Sequence, residues 1–255
     1  MKKLLGISNE VSKEGFRYRG IQTTRLENLT DAVFGFAITL LVISSQVPMT
    51  YVELQASMYS FIGFIFCTML LLSLWNNHSN FFLYYGLNDA KTKALNALFL
   101  FVLLFYIYPL KYLFSYIGTA IYAGIKRSMG DTSEALKTAL QNLNAAELNV
   151  EQWEDLMIRF GLGLFFIYLI IILMHINAIN QADNLKLNLK ERYITKTFIY
   201  NYFLLMLVAV ASILVVVIFG GTAAGYSGMV YLLTPLVIPF YKKYRTRKMV
   251  NLDQD

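Results

Sequence analysis

The residues able to handle a proton or an ion in an apolar setting are few, and they fall close together. Arg25, Asn28, Thr30 and Asp31 stand at the head of one apolar stretch, Ser73, Asn76, Asn77 and His78 close a second, and Asn96 opens a third. A carboxylate in a membrane helix is costly and calls for a partner and a role. If the first two stretches are antiparallel helices joined by a short turn near Pro48, then Arg25, Asn28, Thr30, Asp31, Asn77, His78 and Asn96 reach one height and form a buried polar cluster. Two chemistries fit such a cluster. As polar glue it orders helices by hydrogen bonds across their contacts. As a relay, Asp31 and His78 pass protons, which is the chemistry of a secondary transporter. A relay calls for ionisable groups that continue across the membrane, and apart from Lys111 the other apolar stretches carry none. That favours glue.

The elements that position these residues follow from composition. Of 255 residues, 57% are apolar and 15% are charged, against roughly 45–50% and about 25% in an ordinary soluble domain. A soluble fold of this size cannot hide that excess, so it needs lipid, and the chain reads as an all-α, multi-pass membrane protein. Disorder is excluded, because it needs low hydrophobicity and high net charge. Cys67 is the only cysteine, which leaves no intramolecular disulfide. With it, His78 and His175 are too few for a metal cluster, and no cofactor is expected. The net charge of +6 would suggest nucleic acid in a soluble chain. In a membrane chain it bears on orientation, and no nucleic-acid partner is expected.

Six stretches are long enough to span, at about 20 apolar residues each: 25–47, 57–75 with a polar extension to 85, 94–117, 158–179, 197–219, and a short one at 226–240 that carries Pro235 and Pro239. Met1 to Leu5 opens like a signal peptide, but Gly6 to Glu10 breaks the apolar core, so none is expected. With six spans, seventeen of the 22 Lys and Arg residues fall on the side of the two termini. The excess of positive charge places that side in the cytoplasm. The organisation expected is a basic N-terminal segment over 1–24, a six-helix membrane domain over 25–240 and a basic tail over 241–255 facing anionic lipid headgroups. The long outer connection, 118–154, is rich in acid and includes an amphipathic helix near 132–141.

The first helix has a readable start and two readable faces. Thr24 and Glu27 form a capping-box pattern, so the helix begins at Arg25. Phe36, Leu40, Ile43 and Val47 recur at helical spacing as one apolar stripe. At about 100° per residue Asp31 and Phe34 fall away from that stripe, and Thr39 lies on its flank.

The run from Arg25 to Phe34, RLENLTDAVF, continuing as AITLLV from Ala37 to Val42, resembles the signature of the lysosomal potassium-channel family (transmembrane protein 175), written R-x-x-x-F-S-D. Trp75 and His78 at the end of the second helix are similar to that family's as well. Leu29 stands for the signature phenylalanine, Thr30 for its serine, and Phe36 for the isoleucine or leucine that relatives carry at the pore constriction. The resemblance covers the whole six-span layout, while its specific motif covers a short stretch. It implies a homotetramer in a bacterial inner membrane, with first helices lining a central pore that passes potassium and other monovalent cations. It implies that the Arg–Asp motif is architectural, a structural network of Arg25, Thr30, Asp31, Asn77 and His78. The apolar stripe then supplies the constriction, Phe36, Leu40 and Ile43, with Thr39 as the one hydroxyl placed to offer a passing ion an oxygen. Four Arg25 residues at the mouth would repel cations unless Asp31 of the same or a neighbouring subunit pairs with them.

Other features point nowhere further. Residues 222–228 resemble a TVGYG filter only superficially, since no pore helix precedes them. His175 is alone in its helix and reads as a packing residue. Gly161 and Gly163 permit close helix approach, and Tyr106, Tyr108, Tyr112, Tyr116 and Trp153 suit the outer interface. No phosphate-binding loop, nucleophile motif or dinucleotide fingerprint is present, so no enzyme is expected.

Overall fold

A computed structural model describes residues 11–12, 15–42, 48–235, 239–241 and 244–245. Eight α-helices follow one another among them: α1 Arg25–Val42, α2 Tyr51–Ser57, α3 Phe61–Tyr85, α4 Ala90–Ser128, α5 Glu134–Ala145, α6 Val150–Asn180, α7 Leu189–Phe219 and α8 Ala224–Val230. Short 3₁₀ turns join α2 to α3 and flank α8. Apart from helices, the described residues hold one isolated antiparallel bridge, Val11 to Arg17.

Four helical stretches are long and apolar enough to cross a membrane: Tyr51–Tyr85, Ala90–Ser128, Val150–Asn180 and Leu189–Phe219. The chain is therefore a multi-pass helical membrane protein. The first expected span appears as α1, whose 18 residues include Arg25, Glu27 and Asp31. The last appears as α8 and its flanking turns, a broken element rather than one continuous rod. Residues 43–47, with Ile43 and Val47, lie outside the described residues.

The caps explain where the helices start. Asp89 caps α4 through the Thr92 amide, Asn149 and Gln152 form a capping box on α6, and Asn188 and Glu191 form another on α7. α3 runs straight through Asn76, Asn77 and His78 and stops at Gly86. Gly86 has φ +58°, a left-handed conformation that glycine adopts without strain.

Three helices, α4, α6 and α7, are longer than their apolar stretches suggest, α4 most of all. α4 has 39 residues, about 58 Å at 1.5 Å per residue, nearly twice the hydrocarbon thickness. Its C-terminal end joins α2, the turn that follows it and α5 in a small satellite core of Ala56, Tyr59, Ala123, Ala135, Leu136 and Ala139. The amphipathic helix expected near 132–141 is α5, capped by Ser133. The main core lies between α3, α4, α6 and α7. At Gly63 of α3 an added side chain would collide with the Phe114 carbonyl of α4, so these two helices cross backbone to backbone.

Candidate functional site

α1 begins as its capping box requires: the Thr24 amide donates to Glu27 Oε1 at 2.9 Å, and the Glu27 amide to Thr24 Oγ1 at 3.3 Å. One face of α1 is buried in the chain, formed by Thr30, Phe34, Ala37 and Leu41. Phe36 lies on a different face and is 68% exposed; Leu40 is 39% exposed. The described part of the stripe, Phe36 and Leu40, therefore points away from the chain's own core. Thr39 is exposed beside it and donates its hydroxyl hydrogen to the Phe36 carbonyl at 2.7 Å. That leaves the oxygen's lone pairs, the part an ion would use, unspent by this bond.

The polar residues divide into two groups rather than one cluster. Thr30, His78 and Asn96 are buried together. Thr30 Oγ1 donates to the Leu26 carbonyl at 2.9 Å, Asn96 Nδ2 donates to Thr30 Oγ1 at 3.0 Å, and His78 Nε2 lies 2.6 Å from Asn96 Oδ1. With Asn96 so oriented, the His78 proton sits on Nε2 and donates. Its ring stacks on Phe99 at 5.0 Å, with Phe82 at 4.9 Å and Phe34 at 6.3 Å.

Asp31 is elsewhere. It is exposed on the single chain, and its Oδ1 accepts the Trp75 indole hydrogen at 2.8 Å. Among the described residues no hydrogen bond links Asp31 to His78, and none brings Arg25 or Asn77 into either group. Arg25 is exposed and Asn77 half-buried. The expectation of one buried cluster is corrected here: the buried arc of α1 centres on Thr30 and Phe34, and Asp31 sits on its edge, one helical step further round.

Three sets of contacts that set the site were not foreseen. Glu191, fully buried, accepts from Arg17 Nε at 2.9 Å, from the Arg17 amide at 3.0 Å and from Arg19 at 2.7 Å. Arg19 also donates to the Leu185 carbonyl at 2.8 Å, and the amides of Arg19 and Gly20 to the Leu83 carbonyl at 3.0 Å. The segment before α1 is thus a strap fastened to α3 and α7. The Asn188 capping box was a visible signal for Glu191, but its second role depends on a contact 174 positions away. The second is Trp75 with Asp31. The third is at the far end of α1, where Lys111 Nζ donates to the Leu40 carbonyl at 3.3 Å.

Next to the strap, Asp89 at the head of α4 also binds Asn177 of α6 at 3.3 Å. Partial burial raises its pKa, but hydrogen bonds from Thr92 and Asn177 outweigh that and hold it down at about 2. His175 is a packing residue, its Nδ1 on the Ile171 carbonyl at 2.8 Å among Phe81, Tyr85 and Tyr202. Residues 222–228 are helical, with Ser227 buried against Ser212, so their carbonyls do not form a filter. Among the described residues no group of three His, Cys, Asp or Glu is placed to hold a metal.

The family model described as endosomal/lysosomal potassium channel TMEM175 matches residues 25–106, which span α1, α3 and the first half of α4. A protein named "Potassium channel" from Marivirga tractuosa is 38% identical over 245 residues, covering 94% of each chain. The crystal structure of a variant of the potassium channel MtTMEM175, in complex with a nanobody–MBP fusion protein, superposes with a TM-score of 0.77. It is 34% identical, and the match covers 93% of this chain and all of that one. These relatives are ion channels and not enzymes. By the extent of this likeness, over α1 and over nearly the whole chain, the protein belongs to the TMEM175 family of potassium channels.

Proposed function

We propose that the protein is a homotetrameric channel of a bacterial inner membrane that conducts potassium and other monovalent cations. Six spans put both termini in the cytoplasm, and four copies of α1 surround the pore. Phe36 and Leu40, with Ile43 beyond them, stack as apolar rings that close the pore by dewetting. Selectivity is modest, because such rings offer few ligands to replace a hydration shell; Thr39 supplies the nearest oxygen. Arg25 and Asp31 are both exposed on one chain, and Asp31 Oδ2 faces the neighbouring subunit's Arg25 in this reading.

The observation that carries it is the rotation of α1: its Phe34 face is buried while its Phe36 face, among the described residues, is open. The relatives' names supply the ion. The transporter reading loses its relay, since Asp31 and His78 hold separate partners, Trp75 and Asn96.

Single-channel recording of cysteine variants in a Cys67→Ser background tests this. A permeating thiol reagent should block Phe36→Cys, Leu40→Cys and Ile43→Cys and leave Phe34→Cys untouched, and Phe36→Ala should raise current while weakening discrimination against sodium. Block confined to residues 222–228 would remove α1 from the pore. Flux without unitary current steps would make the protein a carrier.

A further inference from the structure

Lys111 is the only charged residue in the apolar stretches 61–85, 94–125, 160–180 and 197–219. An ionisable side chain in an apolar stretch is costly and tends to mark function. Its ammonium reaches the Leu40 carbonyl. Leu40 lies in the last turn of α1, and that turn has no basic residue of its own. The carbonyl end of a helix carries partial negative charge and favours a cation; here α4 delivers one from outside. The neighbouring side chain braces the same turn of α4 on its other side, where the Tyr112 hydroxyl donates to the Ala146 carbonyl after α5 at 3.1 Å. Between these two bonds lies an open cleft of about 620 Å³, with Leu40, Lys111 and Asn142 on its walls.

We propose that Lys111 is a positioning residue for the constriction: its ammonium holds the Leu40 end of α1 and so sets how far the Leu40 side chain reaches toward the pore axis. This rests on the reading that Leu40 lines the pore. Lys111 itself touches no ion.

The test compares the reaction rate of Leu40→Cys, in the Cys67→Ser background, with a neutral and a cationic methanethiosulfonate, using full-length channels in liposomes. With Lys111→Met the rate should rise for both reagents, by roughly twofold to thirtyfold for the neutral one, the range a helix-end charge is worth, and further for the cationic one because a nearby positive charge is lost. Lys111→Arg keeps the charge and should restore the slow rate. A rise with the cationic reagent alone means that Lys111 acts only through its field, and that overturns the proposal; so does no rise with either. If Lys111→Met fails to assemble, Lys111→Gln keeps a neutral donor and should give a smaller rise of the same kind, and an unchanged rate there again overturns it. An unreactive thiol at position 40 with Lys111 in place, while position 36 still reacts, removes Leu40 from the pore wall and leaves the rest of the channel reading standing.

Discussion

The two ends of α1 are held by different amounts of protein. At its start, the strap of Arg17 and Arg19 is locked to the buried Glu191 and to the Leu83 carbonyl, Thr24 and Glu27 cap the helix, and Thr30 is tied to Asn96 and His78. At its other end, within the described residues, one ammonium from α4 meets the Leu40 carbonyl. The first end is over-determined: deleting any one bond leaves others to hold the helix. The second is packed through Ala37 and Leu41, with the Lys111 bond beside them. The polar ties described along α1 are thus denser at its start than near Leu40. In the pore reading, the anchor sets register and the Leu40 end sets width.

Breaking the anchor should have the largest effect. Glu191→Ala strands two guanidinium groups, one of them almost wholly buried, and removing one partner of a buried pair costs about 3–5 kcal/mol. Loss of most folded protein on size exclusion, or a large drop in melting temperature, is the expected result. Glu191→Gln keeps hydrogen-bond acceptance without charge and should fall between. If Glu191→Ala folded normally and merely gained current, the strap would be a gating element and the contrast between the ends would vanish.

The next pair separates the two polar groups. Asn96→Ala leaves Thr30 and His78 buried without their shared partner, at a cost of about 1–3 kcal/mol, and should lower the subunit's melting temperature. Asp31→Ala removes only an acceptor of Trp75 at the chain surface, and should instead shift assembly from tetramer toward smaller species. Asp31→Asn, which can still accept from the indole, should do less. Equal losses of subunit melting temperature in Asn96→Ala and Asp31→Ala would mean that the two groups act as one.

How much of this was legible depended on whether the cause was local. The long apolar runs place the helices, and the Thr24–Glu27 box places the start of α1, because both signals lie within a few residues. The open Phe36 face was legible from spacing alone. The C-terminal end of α4 was not: residues 118–128 are small and mixed in polarity, and they are helical because α2 and α5 cover them. The Glu191 strap was hidden for another reason: two arginines in a basic segment read as solvated charge until the fold brings α7 beside them. Asp31 was misplaced by a single helical step. Periodicity shows which residues share a face, and only packing shows where the buried arc ends.

The smallest expected effect lies on the acid-rich surface around α5 and the start of α6, where counting residues overstates the field. Three of its acids already have cations: Asp131 with Lys126, Glu134 with Lys137 at 2.7 Å, and Asp155 with Arg159 at 2.6 Å. Glu147, Glu151 and Glu154 have no such ion pair among the described residues. Replacing these three by glutamine should lower inward current by less than about twofold at low salt, and the change should fade near physiological ionic strength, where exposed charges are screened beyond about 8 Å. The Glu134→Gln variant, whose partner already offsets its charge, should show no change at either salt. A loss of current that persists in high salt would mean that these carboxylates touch the permeating ion. These carboxylates would then share the control of flux that the Leu40 end is assigned in the pore reading.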